Sequence, residues 1–215
     1  MTEWDQRQAE PGPDGRLRCP WALGSQDYLT YHDTEWGRPV RGDVALLERL
    51  VLEGFQSGLS WLTILRKRPA FRAAFAGFDP QQVAEFTEDD VQRLLGDAGI
   101  VRHRGKIEAA ITNARALRDL QDRDGDGALD RLMWCYAEPD ADRVPPVLLG
   151  DLPSRTASSA ALAAHLKRLG FTFVGPTTVY AAMQACGLVD DHLDGCIARA
   201  AVSSHPGDGS AQDWG

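Results

Sequence analysis

The segment DVALLERLVLEGF, residues 43–55, repeats apolar side chains at the 3.6-residue spacing of an α-helix. Asp43 precedes the first apolar residue and is positioned to cap the N-terminus of this helix. Gly58 follows closely and ends the helix. The predicted helix is predominantly apolar. Its helically spaced small and apolar residues are Leu46, Leu47, Leu50, Val51 and Gly54.

Helical periodicity also dominates the rest of the chain, so the sequence predicts an all-α fold. The longest strand-like pattern covers only residues 171–174, and the chain has no internal repeat. Further helices are predicted over residues 59–75 with a kink or boundary at Pro69, from Pro80 onward, over 88–95 after a Thr87 cap, and over 106–120, 132–137, 154–169 and 176–186.

The composition is typical of one globular domain with polar segments at both ends. Of the 215 residues, 43% are hydrophobic and 25% are charged. Residues 1–17 and 201–215 are predicted to be a disordered leader and tail around a single helical domain, residues 18–200. The chain shows neither a secretory signal nor an apolar run that could span a bilayer. We therefore expect a cytoplasmic monomer with no membrane partner.

The charge balance limits how this protein can bind nucleic acid. The formal net charge is −8, which argues against binding through overall charge. A locally basic face remains compatible with this value, and two basic clusters are candidates. Each cluster is equally compatible with a solvated helix face. The clusters are Arg66, Lys67, Arg68 and Arg72, and Arg102, His103, Arg104 and Lys106.

Two cysteine–histidine pairs lie near the ends of the predicted domain. Cys19 and His32 are thirteen residues apart, which allows a loop between them to double back. His192 and Cys196 are four residues apart, so both can face one side of a helical turn. Four such ligands suit a structural zinc ion, although each residue alone is more often a packing residue. The spacing alone leaves the pairing open.

Several motifs in one register resemble the 3-methyladenine DNA glycosylase I family. The similarity covers residues 18–196. The motifs form a specific signature because they occur together in one register. Its departures are a longer polar leader, a longer Asp/Gly-rich segment after Leu120, Ile197 and Ala198 after Cys196, and Asp190, where Asn is expected. The motifs are RCPW at 18–21, YHDTEWG at 31–37, LEG at 52–54, GLSW at 58–61, DAGI at 97–100, RHRGK at 102–106, MQACGLV at 183–189 and DH at 191–192.

The resemblance implies a helix-hairpin-helix DNA glycosylase fold in which one structural Zn²⁺ joins the N- and C-terminal segments. The implied zinc ligands are Cys19, His32, His192 and Cys196. A second metal site is not expected. Residues 122–127 imitate the start of an EF-hand calcium loop, but Met133 stands where the bidentate Glu belongs.

The resemblance also implies a pocket for a flipped base. Glu53 lies on the predominantly apolar helix, where an ionised carboxylate is costly unless it is paired. A helix-surface acid is the alternative. Five aromatic residues within 41 positions offer rings on which a base can stack, although each could instead belong to the core. Glu53 and Tyr31 are the implied catalytic residues, and the implied base-binding residues are Trp21, Tyr28, Tyr31, Trp36, Glu53 and Trp61.

DNA would be held on both sides of this pocket. Leu59, after Gly58, would fill the gap that the flipped base leaves in the stack; the alternative is a core leucine. The turn before residue 106 would present main-chain N–H groups to phosphate, unless it is an ordinary helix connection. The implied DNA-binding residues are Gln56, Gly58, Leu59, Gly99, Arg102, Arg104 and Lys106.

The activity implied is removal of 3-methyladenine from double-stranded alkylated DNA by base flipping and hydrolysis of the N-glycosidic bond. The products would be an abasic site and free 3-methyladenine. Because that base is cationic in DNA, a carboxylate at Glu53 would favour it over neutral adenine. No lyase activity is expected, since lyase chemistry needs an amine nucleophile in the pocket. Two alternatives remain: a zinc-stapled DNA-binding module without catalysis, and a hydrolase that uses zinc catalytically.

Overall fold

The computed structural model describes residues 2–138 and 143–199. This part of the chain is mostly helical, which confirms the predicted all-α class. None of its helices is both long and apolar enough to cross a membrane. The strands are β1 (Glu10–Pro11) and β2 (Leu17–Arg18), and the α-helices are α1 (Gln26–Thr34), α2 (Asp43–Gln56), α3 (Trp61–Ala74), α4 (Pro80–Ala84), α5 (Glu88–Gly96), α6 (Arg104–Asp124), α7 (Ala128–Trp134), α8 (Ala157–Arg168) and α9 (Pro176–Ala185).

Helix α2 lies at the centre of the fold. It packs against α3, α6, α7 and α9, so that nearly all of its residues are buried. Burying a leucine or phenylalanine of this kind contributes roughly 1.5–3 kcal/mol to folding. Phe55 at the end of α2 contacts Phe71 of α3, with 4.7 Å between ring centroids. The apolar periodicity of residues 43–55 therefore carries Glu53 into the protein interior.

Asp43 does not cap α2, because the N-cap residue is Gly42. Its carboxylate instead accepts hydrogen bonds from Gln121 Nε2 (2.7 Å) and from the backbone N–H groups of Gly127 (3.0 Å) and Asp130 (2.9 Å). These contacts hold the connection between α6 and α7 against the start of α2. Helix α6 continues to Asp124, past the predicted end at residue 120.

Helix α1 is absent from the sequence prediction, which expected a loop between Cys19 and His32. The structure has a 3₁₀ turn (Pro20–Gly24) and then α1, whose first turn is capped by Ser25. Its buried face consists of Tyr31 and His32 rather than aliphatic side chains. An aliphatic stripe, which is the usual sign of a helix, is therefore missing.

The N-terminal segment also differs from the prediction of a disordered leader. Residues 4–6 form a 3₁₀ turn, and β1 and β2 form a short hairpin. The hairpin is joined to α1 through Arg18, whose buried guanidinium pairs with Asp14 (2.6 Å) and Asp33 (2.9 Å). These ion pairs compensate the cost of burying the Arg18 charge. They help to order a segment whose polar composition suggested disorder. The predicted tail, residues 201–215, lies outside the described residues.

Candidate active site and metal-binding group

A pocket of about 510 Å³ opens between α1, α2 and α9, next to the start of α3. A volume of this size lies in the range of small-molecule sites. All six residues predicted to bind a base line it, so the fold brings them together. The lining residues are Trp4, Trp21, Gly24, Tyr28, Tyr31, Trp36, Glu53, Gln56, Trp61, Ala181 and Gln184.

The aromatic wall of the pocket is held by contacts between α1, α3 and the turn before α1. Trp21 meets Tyr28 at 5.8 Å and Trp36 at 5.0 Å, both edge to face, and Tyr31 meets Trp61 at 5.6 Å. The Tyr28 hydroxyl accepts a hydrogen bond from the backbone N–H of Leu62 (3.0 Å). Tyr28 therefore joins α1 to the first turn of α3 as well as lining the pocket.

Glu53 is the carboxyl group of the pocket, and only 6% of the residue is exposed. Burial raises its pKa to about 8, against an opposing effect of Arg49. Among the described residues its carboxyl group has no hydrogen-bond partner. The alternative of a helix-surface acid is therefore wrong. Burial therefore favours the protonated form of Glu53.

Two further polar groups of the pocket have no partner within the described part of the chain. They are the buried hydroxyl of Tyr31 and the buried indole N–H of Trp61. Burial raises the pKa of Tyr31, so its hydroxyl remains a donor at physiological pH. Leaving such a group unsatisfied costs about 1–3 kcal/mol. Both groups are therefore available to a polar, planar ligand.

Glu35 has a role that the sequence analysis missed. It accepts hydrogen bonds from Arg68 of α3 (2.5 and 2.7 Å) and Arg49 of α2 (3.0 Å). Arg68 and Arg49 together lower the pKa of Glu35 to about 2. This ion-pair network ties the end of α1 to the two helices that carry Glu53 and Trp61. Its signal in the sequence was only the position of Glu35 inside the YHDTEWG motif.

The turn after α2 presents Leu59 to solvent beside the pocket. Leu59 is 40% exposed, so it is not a core leucine. Gln56, which lines the pocket, closes the turn: its carbonyl accepts from the Leu59 N–H (2.7 Å) and its amide donates to the Leu59 carbonyl (2.9 Å). Gly58 adopts φ +82°, a left-handed conformation that side chains disfavour.

The predicted hairpin is the connection between α5 and α6. The Gly99 N–H donates to the Asp97 side chain (2.7 Å), and Lys67 of α3 donates to the Gly99 and Ala98 carbonyls (3.3 and 2.7 Å). His103 caps α6 by accepting from the N–H of residue 106 (3.2 Å). The N–H groups that begin α6 point out of the helix end, as backbone donors at a helix N-terminus do.

The basic residues of this connection are not equivalent. Arg102 is exposed. Arg104 is also exposed but pairs with Glu88 (2.8 Å) and Glu108 (3.1 Å). A phosphate would have to compete with these two carboxylates for Arg104.

Lys106 differs from the prediction of a DNA-backbone contact. It is only 8% exposed, and its ammonium donates to the carbonyls of Phe55 (2.9 Å) and Ser57 (2.6 Å). Those carbonyls end α2, where a positive charge is favourable. Lys106 therefore supports the turn that presents Leu59.

Three of the four predicted zinc ligands form one buried group. The ligand atoms of Cys19, His32 and Cys196 lie within 4.8 Å of one another, so this group could hold a metal ion. His192 is adjacent to it, with 5.0 Å between its ring centroid and that of His32. Cys19 and His32 hold the pKa of Cys196 well below its ordinary value, which favours the metal-binding thiolate.

The surroundings of both histidines fit metal ligation. His32 Nδ1 is paired with Asp33 (2.8 Å), and His192 Nδ1 is paired with Asp190 (2.7 Å). Metal-bound histidines usually donate their second ring N–H to a carboxylate in this manner. The other nitrogen of His192, Nε2, is buried without a partner among the described residues. Asp190, at a position where the family was expected to have Asn, is thus the residue that pairs with His192 Nδ1.

Comparisons with known proteins show which family the chain is similar to. A family model described as methyladenine glycosylase matches residues 21–200. The chain is 46% identical to DNA-3-methyladenine glycosylase 1 of Escherichia coli (strain K12) over 179 residues, which cover 83% of this chain and 95% of that protein. It is 42% identical to DNA-3-methyladenine glycosylase of Haemophilus influenzae over 181 residues, 83% of this chain and 96% of that protein.

Solved structures extend this similarity to the fold. The structure of 3-methyladenine DNA glycosylase I from Staphylococcus aureus is 35% identical, with a TM-score of 0.78, and the match covers 84% of this chain and 95% of that one. Sequence and fold therefore agree over nearly the whole length of each relative. On these grounds the chain belongs to the methyladenine glycosylase family.

Proposed function

We propose that this protein is a DNA repair glycosylase that removes 3-methyladenine from alkylated double-stranded DNA by hydrolysis of the N-glycosidic bond. The observation that carries the proposal is the pocket: a buried, unpartnered carboxyl group among aromatic rings. The relatives support the choice of base, since they are named for 3-methyladenine, and the S. aureus structure concerns its recognition.

Charge distinguishes the damaged base from its parent. 3-Methyladenine is cationic in DNA, whereas adenine is neutral. A cation next to Glu53 stabilises the carboxylate over the protonated form that burial favours. The carboxylate then accepts a hydrogen bond from the exocyclic amine, and the Tyr31 hydroxyl and Trp61 N–H find a partner in the base. Neutral adenine gains less from this site.

Hydrolysis then follows from the charge that the base already carries. The bond between C1′ of the sugar and N9 of the base breaks, and its electron pair returns to the base, which leaves neutral. Water adds to C1′ and releases a proton to solvent. Because the leaving group needs no protonation, Glu53 and Tyr31 act by holding the base in place and by favouring its charged, extruded form.

DNA approaches through the exposed turn and the α5–α6 connection. Leu59 enters the stack in place of the flipped base, with Gln56 bracing its turn. The N-terminus of α6 and the Gly99 turn receive a backbone phosphate in a helix-hairpin-helix arrangement, assisted by Arg102. Arg104 contributes only if it leaves Glu88 and Glu108.

A structural Zn²⁺ bound by Cys19, His32, His192 and Cys196 joins the two ends of the domain. The donor set, the paired Nδ1 atoms and the unpartnered Nε2 of His192 fit such an ion. Bound there, zinc contributes folding energy rather than chemistry, because four protein ligands leave no position for water. A full set of four protein ligands therefore disfavours a catalytic zinc.

We propose that the protein has no lyase activity. A lyase needs an amine in the pocket, and none of the described lining residues is a lysine. Lys106 is engaged with two carbonyl groups outside the lining.

The test is incubation of the purified protein with methylated duplex DNA, followed by chromatography of the released bases and electrophoresis of the DNA. We expect free 3-methyladenine and intact strands that contain abasic sites. Retained DNA binding without base release would instead support a non-catalytic DNA-binding module. Strand cleavage at the abasic sites would contradict the monofunctional reaction.

A further inference from the structure

Trp4 lines the same pocket as Glu53, although it belongs to a segment that precedes the matched family region. The family model begins at residue 21, and the E. coli and H. influenzae relatives align over at least 95% of their own length but only 83% of this chain. Trp4 is therefore an addition to the pocket that the family's shared domain does not supply.

The backbone around Trp4 is fixed to the protein at the turn formed by residues 149–151. The Leu149 N–H donates to the Arg7 carbonyl (3.0 Å). The Asp5 backbone approaches Gly150 so closely that a Cβ atom at Gly150 would lie 2.9 Å from the Asp5 carbonyl oxygen. This close approach requires glycine, so the position of the 3₁₀ turn that carries Trp4 is specified by tertiary packing.

The Trp4 side chain itself is oriented by a neighbouring cation. The Arg7 guanidinium lies over the indole ring, 4.6 Å from its centroid, and Arg7 is in turn paired with Glu10. Trp4 nevertheless remains 49% exposed. A large ring held at the edge of a pocket with half of its surface uncovered is preorganised for contact with a ligand.

We propose that Trp4 is a substrate-binding residue that contacts the flipped alkylated purine and retains it in the pocket. This inference rests on the proposed function. The indole adds stacking surface at the mouth of the pocket. Because the Arg7 guanidinium already lies over the ring, this contact depends on stacking area rather than on attraction of the indole for a cation.

The experiment uses the full chain and the substitution Trp4→Ala, with Trp4→Phe as the conservative variant. Binding of free 3-methyladenine is measured by calorimetry, binding of duplex DNA with an abasic site is measured separately, and base release is followed at single turnover. We expect Trp4→Ala to weaken binding of the free base about tenfold, as loss of one base–aromatic contact does. Trp4→Phe should restore part of the loss, and abasic DNA should bind as in the wild type.

The matched control is Leu17→Ala, which removes another exposed apolar side chain (41%) of the same segment that does not line the pocket. It should bind the free base as the wild type does. Equal losses on free base and abasic DNA, or wild-type affinity of Trp4→Ala for the base, would overturn the inference. If Trp4→Ala does not fold, Arg7→Ala, which removes the cation that orients the indole together with its ion pair to Glu10, should weaken base binding in the same direction. Absence of base release by the wild type would instead refute the proposed function.

Discussion

The indole ring of Trp36 lies against the imidazole ring of His192, with 4.6 Å between their centroids and 78° between their planes. Trp36 also meets Trp21 across 5.0 Å, and both tryptophans line the pocket that contains Glu53. Trp36 therefore links the pocket wall directly to His192, a predicted zinc ligand. A displacement of His192 is therefore expected to shift Trp36 and so to change the shape of the pocket.

Removal of a metal-binding residue should affect both stability and base binding. In Cys196→Ala we expect loss of bound zinc, a melting temperature lower by roughly 10 °C, and weaker binding of free 3-methyladenine, because zinc binding is coupled to folding. Metal analysis, thermal melting and calorimetry measure these three quantities. Cys135→Ala is the control, since this cysteine is exposed and lies outside the group. Loss of zinc without a change in melting temperature would contradict a structural role.

The substitution Glu53→Gln should weaken binding of the base far more than binding of abasic DNA. It removes the negative charge but keeps the shape, and we expect at least about tenfold weaker binding of 3-methyladenine. Base release from methylated DNA should fall with it. Glu48→Gln on the same helix is the control, because Glu48 pairs with Arg72 away from the pocket. An equal loss of affinity for 3-methyladenine and for abasic DNA would show that Glu53 does not recognise the base.

The pH dependence of stability should contain a contribution from Glu53. Its pKa is raised from 4.5 to about 8, so the folded protein binds one more proton than the unfolded chain between these values. The free energy of unfolding should therefore fall as pH rises from 4.5 to 8, by a total on the order of 5 kcal/mol from this group. Urea unfolding of wild type and Glu53→Gln from pH 5 to pH 9 measures the difference. Parallel curves for the two proteins would show that Glu53 does not titrate in this way.

Lys106→Met should slow base release without changing the salt dependence of DNA binding. It removes two hydrogen bonds to the carbonyls of Phe55 and Ser57 and so loosens the turn that presents Leu59. We expect roughly 1–3 kcal/mol lower stability, because the buried Phe55 carbonyl loses its lysine partner. Lys167→Met, on the exposed side of α8, serves as the control. A salt slope lower by about one would instead identify Lys106 as a phosphate contact.

Much of the fold and pocket could be predicted because the signals are local. Apolar spacing in residues 43–55 predicts α2, and the Thr87–Asp90 pattern predicts the capped start of α5, where the Thr87 N–H does donate to Asp90 (3.0 Å). The motif residues of the pocket and three of the four zinc ligands also came together as expected. Helix α1 escaped prediction because its buried face serves the pocket and the metal-binding group rather than an aliphatic core.

By itself, the sequence determined the helical class, the chemical character of the pocket and the identity of its carboxylate, since side-chain type and periodicity are written along the chain. Only the tertiary structure decided that the Lys106 ammonium donates to the carbonyls that end α2, that Asp43 anchors the α6–α7 connection, and that Trp4 lines the same pocket as Glu53. The first two placements join groups about fifty or more residues apart in the sequence. The third depends on the contact of the N-terminal segment with the turn at residues 149–151. Such contacts are selected by packing among helices, and no local propensity encodes them.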